Sequence, residues 1–243
     1  MGIAEEINKI LKEYSLGNKL KAYKKFKKIF SKYKTNKKIR YNLAIMEKEL
    51  GYTDLAKKNF KFLIDNYHHI KSMINYYSIE IENENFSEAL KIINIALKID
   101  NFQPNVLRDK AFIMYKINNF EESQKICLSI LNKNNKDDLT LNILGLSYFN
   151  MNKNKEAEEI FLDGLKIKKD SAPLLNSLGR LYHETRQAEK AEKVFLKAIE
   201  IEPKSYATLN NIAGFYLEEG FYEKSINYYN KADNIFPNNS IIL

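Results

Sequence analysis

Residues 172–205 read APLLNSLGRLYHETRQAEKAEKVFLKAIEIEPKS, and residues 206–239, directly after them, read YATLNNIAGFYLEEGFYEKSINYYNKADNIFPNN. Each stretch is 34 residues long, and the two align without a gap. Leu175 stands over Leu209, Asn176 over Asn210, Leu178-Gly179 over Ile212-Ala213 and Tyr182 over Tyr216. Further along, Ala191 stands over Ser225, Phe195 over Tyr229, Ala198 over Ala232 and Pro203 over Pro237. Self-similarity at a fixed period of this length marks a stacked-repeat architecture, and it outranks local propensity as evidence for the fold.

The period runs upstream. Leu107, Leu141, Leu175, Leu209 and Leu243 fall 34 apart, as do Asn142, Asn176 and Asn210, and Tyr148, Tyr182 and Tyr216. Counted from position 1 to 34, the repeats span 3–36, 37–69 (one residue short), 70–103, 104–137, 138–171, 172–205 and 206–239. They form a single solenoid over the whole chain, in which 240–243 begin a further repeat. The pattern fades towards the N-terminus, where the first repeat keeps Ala22, Phe26 and Ile29.

Each repeat holds two apolar-periodic segments of about 13 residues, the length of ordinary helices. A break separates them, at Gly17, Gly51 and Gly220, or at Asn118 and Asn152. These residue types tolerate the left-handed backbone that ends helices. Small residues at positions 8 and 20 (Gly179 with Ala191, Ala111 with Ser123, Ala44 with Ala56) predict close approach of the paired helices, with large residues at 11 and 24 filling the space beside them. Pro203 and Pro237 end second helices, because proline cannot continue one. Pro104 and Pro173 sit in a first turn, where a missing N–H costs nothing.

These positions closely resemble the tetratricopeptide repeat family over nearly the whole chain. The resemblance implies an all-α, right-handed superhelical solenoid of stacked antiparallel helix pairs. Its concave groove would be lined by the first helix of each repeat, near positions 2, 5, 6, 9, 12 and 13. Positions 5 and 6 carry Asn42, Asn75, Arg108 with Asp109, Asn142, Asn176, and Asn210 with Asn211. Asparagine is a mediocre helix former, so a mid-helix row of it calls for a reason. The amide both donates and accepts, which suits gripping a peptide backbone. The row resembles the asparagine ladder of O-linked N-acetylglucosamine transferases; the alternative is hydrogen bonding between repeats. Phe112, Tyr115, Leu146 and Phe149 would form an apolar anchor in the groove unless neighbouring repeats cover them, and Arg180 and His183 complete the candidate peptide-binding set.

The family's carboxylate clamp needs Lys at 5 and Asn at 9 of one repeat, Asn at 6 of the next, and Lys at 2 with Arg at 6 of the third. No three consecutive repeats supply it, and Lys71 and Asn75 are isolated partial matches.

Charge is uneven. Residues 1–40 carry 13 Lys and Arg against three acids, Glu5, Glu6 and Glu13, a net of +10; the remaining 203 residues carry 26 against 28. Lys21, Lys24, Lys25, Lys27, Lys28, Lys32 and Lys34 cluster around one predicted helix, either as a solvated face or as an electrostatic contact with an acidic protein, a lipid surface or nucleic acid. Apolar runs of a few residues are far short of the ~20 that span a bilayer, so no membrane span is expected. The single cysteine, Cys127, cannot form an internal disulfide and fits a reducing, cytoplasmic setting.

Phosphate loops, nucleophile elbows and kinase or zinc motifs are absent, and His68, His69 and His183 have no ligand partners at metal spacing. No catalysis, cofactor or metal is therefore expected. Most of the 16 tyrosines fall on repeat-core positions and so are no sign of base stacking, and nucleic acid is not an expected partner. The function implied is a protein-interaction scaffold holding a peptide or helical segment in its groove. Two alternatives stand beside it: the N-terminal substrate-recognition arm of a larger glycosyltransferase or sulfotransferase, and a self-assembling structural factor. Ile226, Tyr229 and Ile235 on the last helix want a cover, so a further domain, a partner or a second copy is expected beyond Leu243.

Overall fold

A computed structural model describes residues 2–133 and 137–235. The expectation that 240–243 open another repeat lies outside the described residues, as do Pro237 and Leu243. The chain divides into two compact units, Met1–Val106 and Leu107–Leu243.

The first unit carries α1 (Ile3–Ser15), α2 (Lys19–Lys32), α3 (Lys37–Glu49), α4 (Thr53–Tyr67), α5 (Ile70–Glu82), α6 (Phe86–Ile99) and the start of α7 (Pro104–Lys116). Successive helices pack on one another from α1 through α6. The apolar stripes of α1, α2 and α3 close a core of Ile10, Tyr14, Phe26, Leu43 and Met46 around Ala22, whose side chain is fully covered.

The second unit carries the rest of α7, then α8 (Phe120–Leu131), α9 (Asp138–Asn150), α10 (Asn154–Ile167), α11 (Ala172–Glu184), α12 (Ala188–Ile201), α13 (Tyr206–Glu218) and α14 (Tyr222–Asp233). Here α9 packs on α10, α11 on α12 and α13 on α14, while α11 also lies against α9 and α13. Phe161, Leu178, Phe195, Ile212, Phe215 and Tyr216 form its core. Among the described residues there is no strand, and the fourteen helices fit about seven helix pairs of an all-α solenoid.

All seven breaks are built alike. Position 15 has a left-handed backbone in every pair, at Gly17, Gly51, Glu84, Asn118, Asn152, Arg186 and Gly220. The following residue then donates its N–H back to the carbonyl of position 11, as Gln187 does to Tyr182 at 2.8 Å and Phe221 to Tyr216 at 2.8 Å. This six-to-one bond satisfies a carbonyl that the ended helix leaves without a partner. Glycine and asparagine tolerate the conformation; Glu84 and Arg186 adopt it against a steric cost.

The small-residue rule has a sharper cause than helix approach alone. The ring of Phe161 lies on Gly145, and a Cβ built there would come within 2.4 Å of it. Phe195 lies on Gly179 in the same way, at 2.6 Å. Position 8 is thus small in these pairs because the ring at position 24 of the partner helix occupies its space. Cys127 occupies that position in α8, fully buried, and burial pushes its thiol up to about 12, so it is an inert core group.

Candidate functional site

All fourteen candidate groove residues are partly exposed; none is sealed in the core and none stands fully clear of its neighbours. They fall in both units, and each unit is described by itself.

In the first unit, α1, α3 and α5 converge on a pocket of about 520 Å3, lined by Ile7, Asn8 and Leu11, by Lys38, Tyr41 and Asn42, and by His69 and Lys71. Asn42 thus faces a recess shared by three first helices. Asn75 does not line it. Its amide donates to the Tyr41 hydroxyl at 3.3 Å, across to the previous helix pair, and to the Lys71 carbonyl at 2.9 Å. His69 contacts Ser72 Oγ through Nδ1 at 2.8 Å and meets Tyr41 edge-on at 5.1 Å. Burial first, then Lys71 and Lys37, holds its imidazole below the ordinary range.

In the second unit the asparagine row divides. Asn211 donates to Asn176 Oδ1 at 3.0 Å, which ties α13 to α11. Asn142 and Asn210 each keep a buried amide oxygen with no protein partner. Beside Asn210 lies a recess of about 200 Å3 that takes in Arg180, His183, Glu184, Asn211 and Glu218. Gly214 opens its floor: nothing stands closer to a Cβ there than the Tyr229 hydroxyl at 3.7 Å. His183 approaches Glu218 at 3.2 Å and lies edge-on to Phe215, while Arg180 sits over the Phe149 ring at 5.8 Å.

The apolar anchor is more covered than the sequence suggests. Leu146 and Phe149 pack against the core of the second unit. Tyr115 accepts a hydrogen bond from Asn150 at 3.3 Å, and Lys116 lies 6.0 Å from the Phe112 ring centre. Arg108 is engaged by Asp137 at 2.7 Å. Burial would raise the Asp137 carboxyl, but the Thr140 backbone N–H together with Arg108 outweighs it and holds the group below its usual value. Asp137 also caps α9 through that Thr140 N–H. Arg108 therefore serves a helix start, and Asp109 is half-buried beside it.

One device between neighbouring helix pairs went unread in the sequence. Position 21 of one pair meets position 11 of the next. Tyr182 donates to Glu158 at 2.9 Å and Tyr216 to Glu192 at 2.6 Å. In the first unit the order is inverted, with Tyr23 donating to Glu47 at 3.3 Å, and it is replaced by an ion pair between Lys57 and Glu80 at 2.6 Å. Burial and then the facing carboxylate push the hydroxyls of Tyr23 and Tyr182 up to about 12 and raise that of Tyr216. The signal lay in the spacing, since tyrosine and glutamate recur 24 residues apart in three places.

The N-terminal lysines Lys21, Lys24, Lys25, Lys27, Lys28, Lys32 and Lys34 are all exposed on α2 or just beyond it. Lys25 pairs with Glu13 at 2.6 Å. Among the described residues no three His, Cys, Asp or Glu side chains gather as a metal site would require, and no helix is long and apolar enough to cross a membrane.

Two family models match the sequence. One, the N-terminal tetratricopeptide region of Psidin, covers residues 75–182; the other, a tetratricopeptide repeat, covers 172–205 and 206–239. No curated protein matches the chain at a significant level. Among solved structures, a tetratricopeptide repeat protein from Parabacteroides merdae shares 17% identity at a TM-score of 0.87, over 97% of this chain and 94% of that one. The thermophilic protein TTC0263 of Thermus thermophilus shares 17% at 0.67, over 70% and 93%. A chain of the Cut9–Hcn1 hetero-tetramer shares 16% at 0.73, over 94% of this chain and 46% of that one. Repeat register, helix pairing, family models and structural likeness agree, and the chain belongs to the tetratricopeptide repeat family.

Proposed function

We propose that this chain is a non-catalytic scaffold that holds a peptide or helical segment of a protein partner against the first helices of its repeats. The tetratricopeptide fold itself suggests protein interaction. The observation that carries the finer reading is the exposure pattern. A first helix buried on all sides would have no reason to keep Asn42, Asn142, Arg180 and Asn210 partly open. Both recesses are lined mainly by first helices, the second also by Phe195 of α12 and Tyr229 of α14, and both mix apolar side chains with amide groups. Such a surface supplies hydrogen bonds to a backbone and shelves for side chains, at roughly 0.5–1.5 kcal/mol per neutral hydrogen bond.

Selection of a random peptide library on the full chain tests this. The expected result is a set of peptides whose affinity drops in N42A, N210A or R180E chains that melt like the wild type. Peptides that survive all three changes and are lost instead on charge reversal of the α2 lysines would contradict it.

A further inference from the structure

The recess between α1, α3 and α5 is the larger of the two, and its charge is one-sided. Lys38 and Lys71 line it, and no carboxylate does. Both lysines are exposed, and among the described residues neither has a carboxylate within ion-pair distance. Elsewhere in the same unit Lys19, Lys25, Lys48 and Lys57 each have one. Lys37, on the same turn as Lys38, lies over the Tyr67 ring at 4.1 Å. The α1 wall is mainly apolar: Ile7 and Leu11 rest on the unit's core with one face left open, beside Ala4 and the exposed amide of Asn8. Tyr41 and Asn42 stand between the two walls. A carboxylate clamp would carry Lys and Asn at the places of Ile7 and Leu11, so a C-terminal carboxylate is not what this recess is shaped to hold.

We propose that this recess takes an aspartate or glutamate side chain of the partner between Lys38 and Lys71, with an apolar residue of the same segment seated against Ile7 and Leu11. The proposal rests on the groove reading above and gives it a partner chemistry. Two like charges at one recess repel, and an anion between them removes that cost. The net charge of +10 on residues 1–40 adds a long-range attraction for an acidic segment. Phosphate or a nucleic-acid backbone could satisfy the lysines but would leave the Ile7 and Leu11 wall facing water, so an acidic, partly apolar peptide fits both walls. His69 reports on the site. Lys71 on its own helix and Lys37 on α3 help hold it neutral, and Tyr41 is the other titratable group packed on it. A bound carboxylate would therefore raise its pKa.

The test uses the full chain and a decapeptide of alternating glutamate and leucine, acetylated and amidated so that it has no terminal charge. Fluorescence anisotropy should show binding that weakens when glutamine replaces glutamate and also when serine replaces leucine. The K38E/K71E double variant changes two exposed side chains, so its melt should match the wild type while its affinity falls about ten-fold or more. The His69 ring resonances should titrate at higher pH in the bound wild type. Unchanged affinity in K38E/K71E, equal binding of the serine peptide, or displacement by inorganic phosphate or a short oligothymidylate as effective as by the peptide itself would overturn the proposal. If library peptides bind but depend only on Arg180 and Asn210, this inference fails and the groove reading stands. If no peptide of any composition binds, both fail.

Discussion

Glu47 is the residue at which burial and charge conflict most directly. It is almost fully buried, accepts from Asn59 at 2.8 Å and Tyr23 at 3.3 Å, and Asn59 in turn accepts from Arg40 at 2.7 Å. Burial raises its carboxyl above the usual range, only partly offset by Asn59, Tyr23, Lys27 and Arg40. A carboxyl raised in the folded state contributes stability that is present below its unfolded pKa and lost as pH climbs through the folded value. The E47Q chain should therefore melt higher than wild type at neutral pH, with the gap closing as pH falls into the carboxylate range. A gap that widens in acid would mean that Glu47 is stabilised as an anion. None of this was legible in the sequence, where Glu47 occupies a position that tyrosine fills in three later repeats. Side-chain partners across neighbouring pairs set its environment, and a periodicity argument does not see them.

At the scale of the helix, the break between paired helices was legible where glycine or asparagine marked it and opaque where it was not. Glu84 and Arg186 take the left-handed backbone because the rest of the pair fixes the turn, against their own preference. Replacing either with glycine removes roughly 1 kcal/mol of backbone strain, less the entropy glycine adds to the unfolded chain. E84G and R186G should thus be neutral to stabilising in chemical denaturation, whereas the same change at an ordinary helix position would cost up to ~1 kcal/mol. A loss of that size in both would show that these side chains hold the turn by contacts of their own. The Gly-to-Ala changes on helices separate in the opposite sense. Alanine gains about 1 kcal/mol of helix propensity over glycine, and G214A should keep that gain because its nearest neighbour is 3.7 Å away. G179A drives a methyl into the ring of buried Phe195, and overpacking of this kind costs typically 1–3 kcal/mol, so it should be destabilising. If both variants gain stability equally, the ring-on-glycine contact does not determine the small residue at that position.

Over the whole molecule, the fold was readable because a 34-residue period repeats the same packing problem and the same solution along the chain. The candidate site was readable only as a set of positions. The sequence placed Asn75, Asn142, Asn176, Asn210 and Asn211 on one helix face, but whether each amide faces a neighbour or a recess depends on its rotamer and on the element opposite. Asn176 with Asn211 and Asn75 with Tyr41 join neighbouring pairs, while Asn42 and Asn210 line recesses. Charge counting directed attention to the lysines of α2, of which Lys28 and Lys32 share a recess with Glu6; the recess that joins lysines to an apolar wall with no carboxylate in its lining is that of Lys38 and Lys71 on first helices. At the last helix the N-cap Phe221 and the helical Tyr222 and Ile226 are more than half exposed, at 53%, 64% and 60%, while Tyr229 is half-buried, as is Ile235, which lies past the end of α14 rather than on it.

Amide hydrogen exchange on the full chain, with and without a library-selected peptide, tests the central claim most directly. Binding should slow exchange in the first helices of at least one unit, α1, α3 and α5 or α9, α11 and α13, and leave α2, α10, α12 and α14 unchanged. Protection confined to those second helices would contradict it.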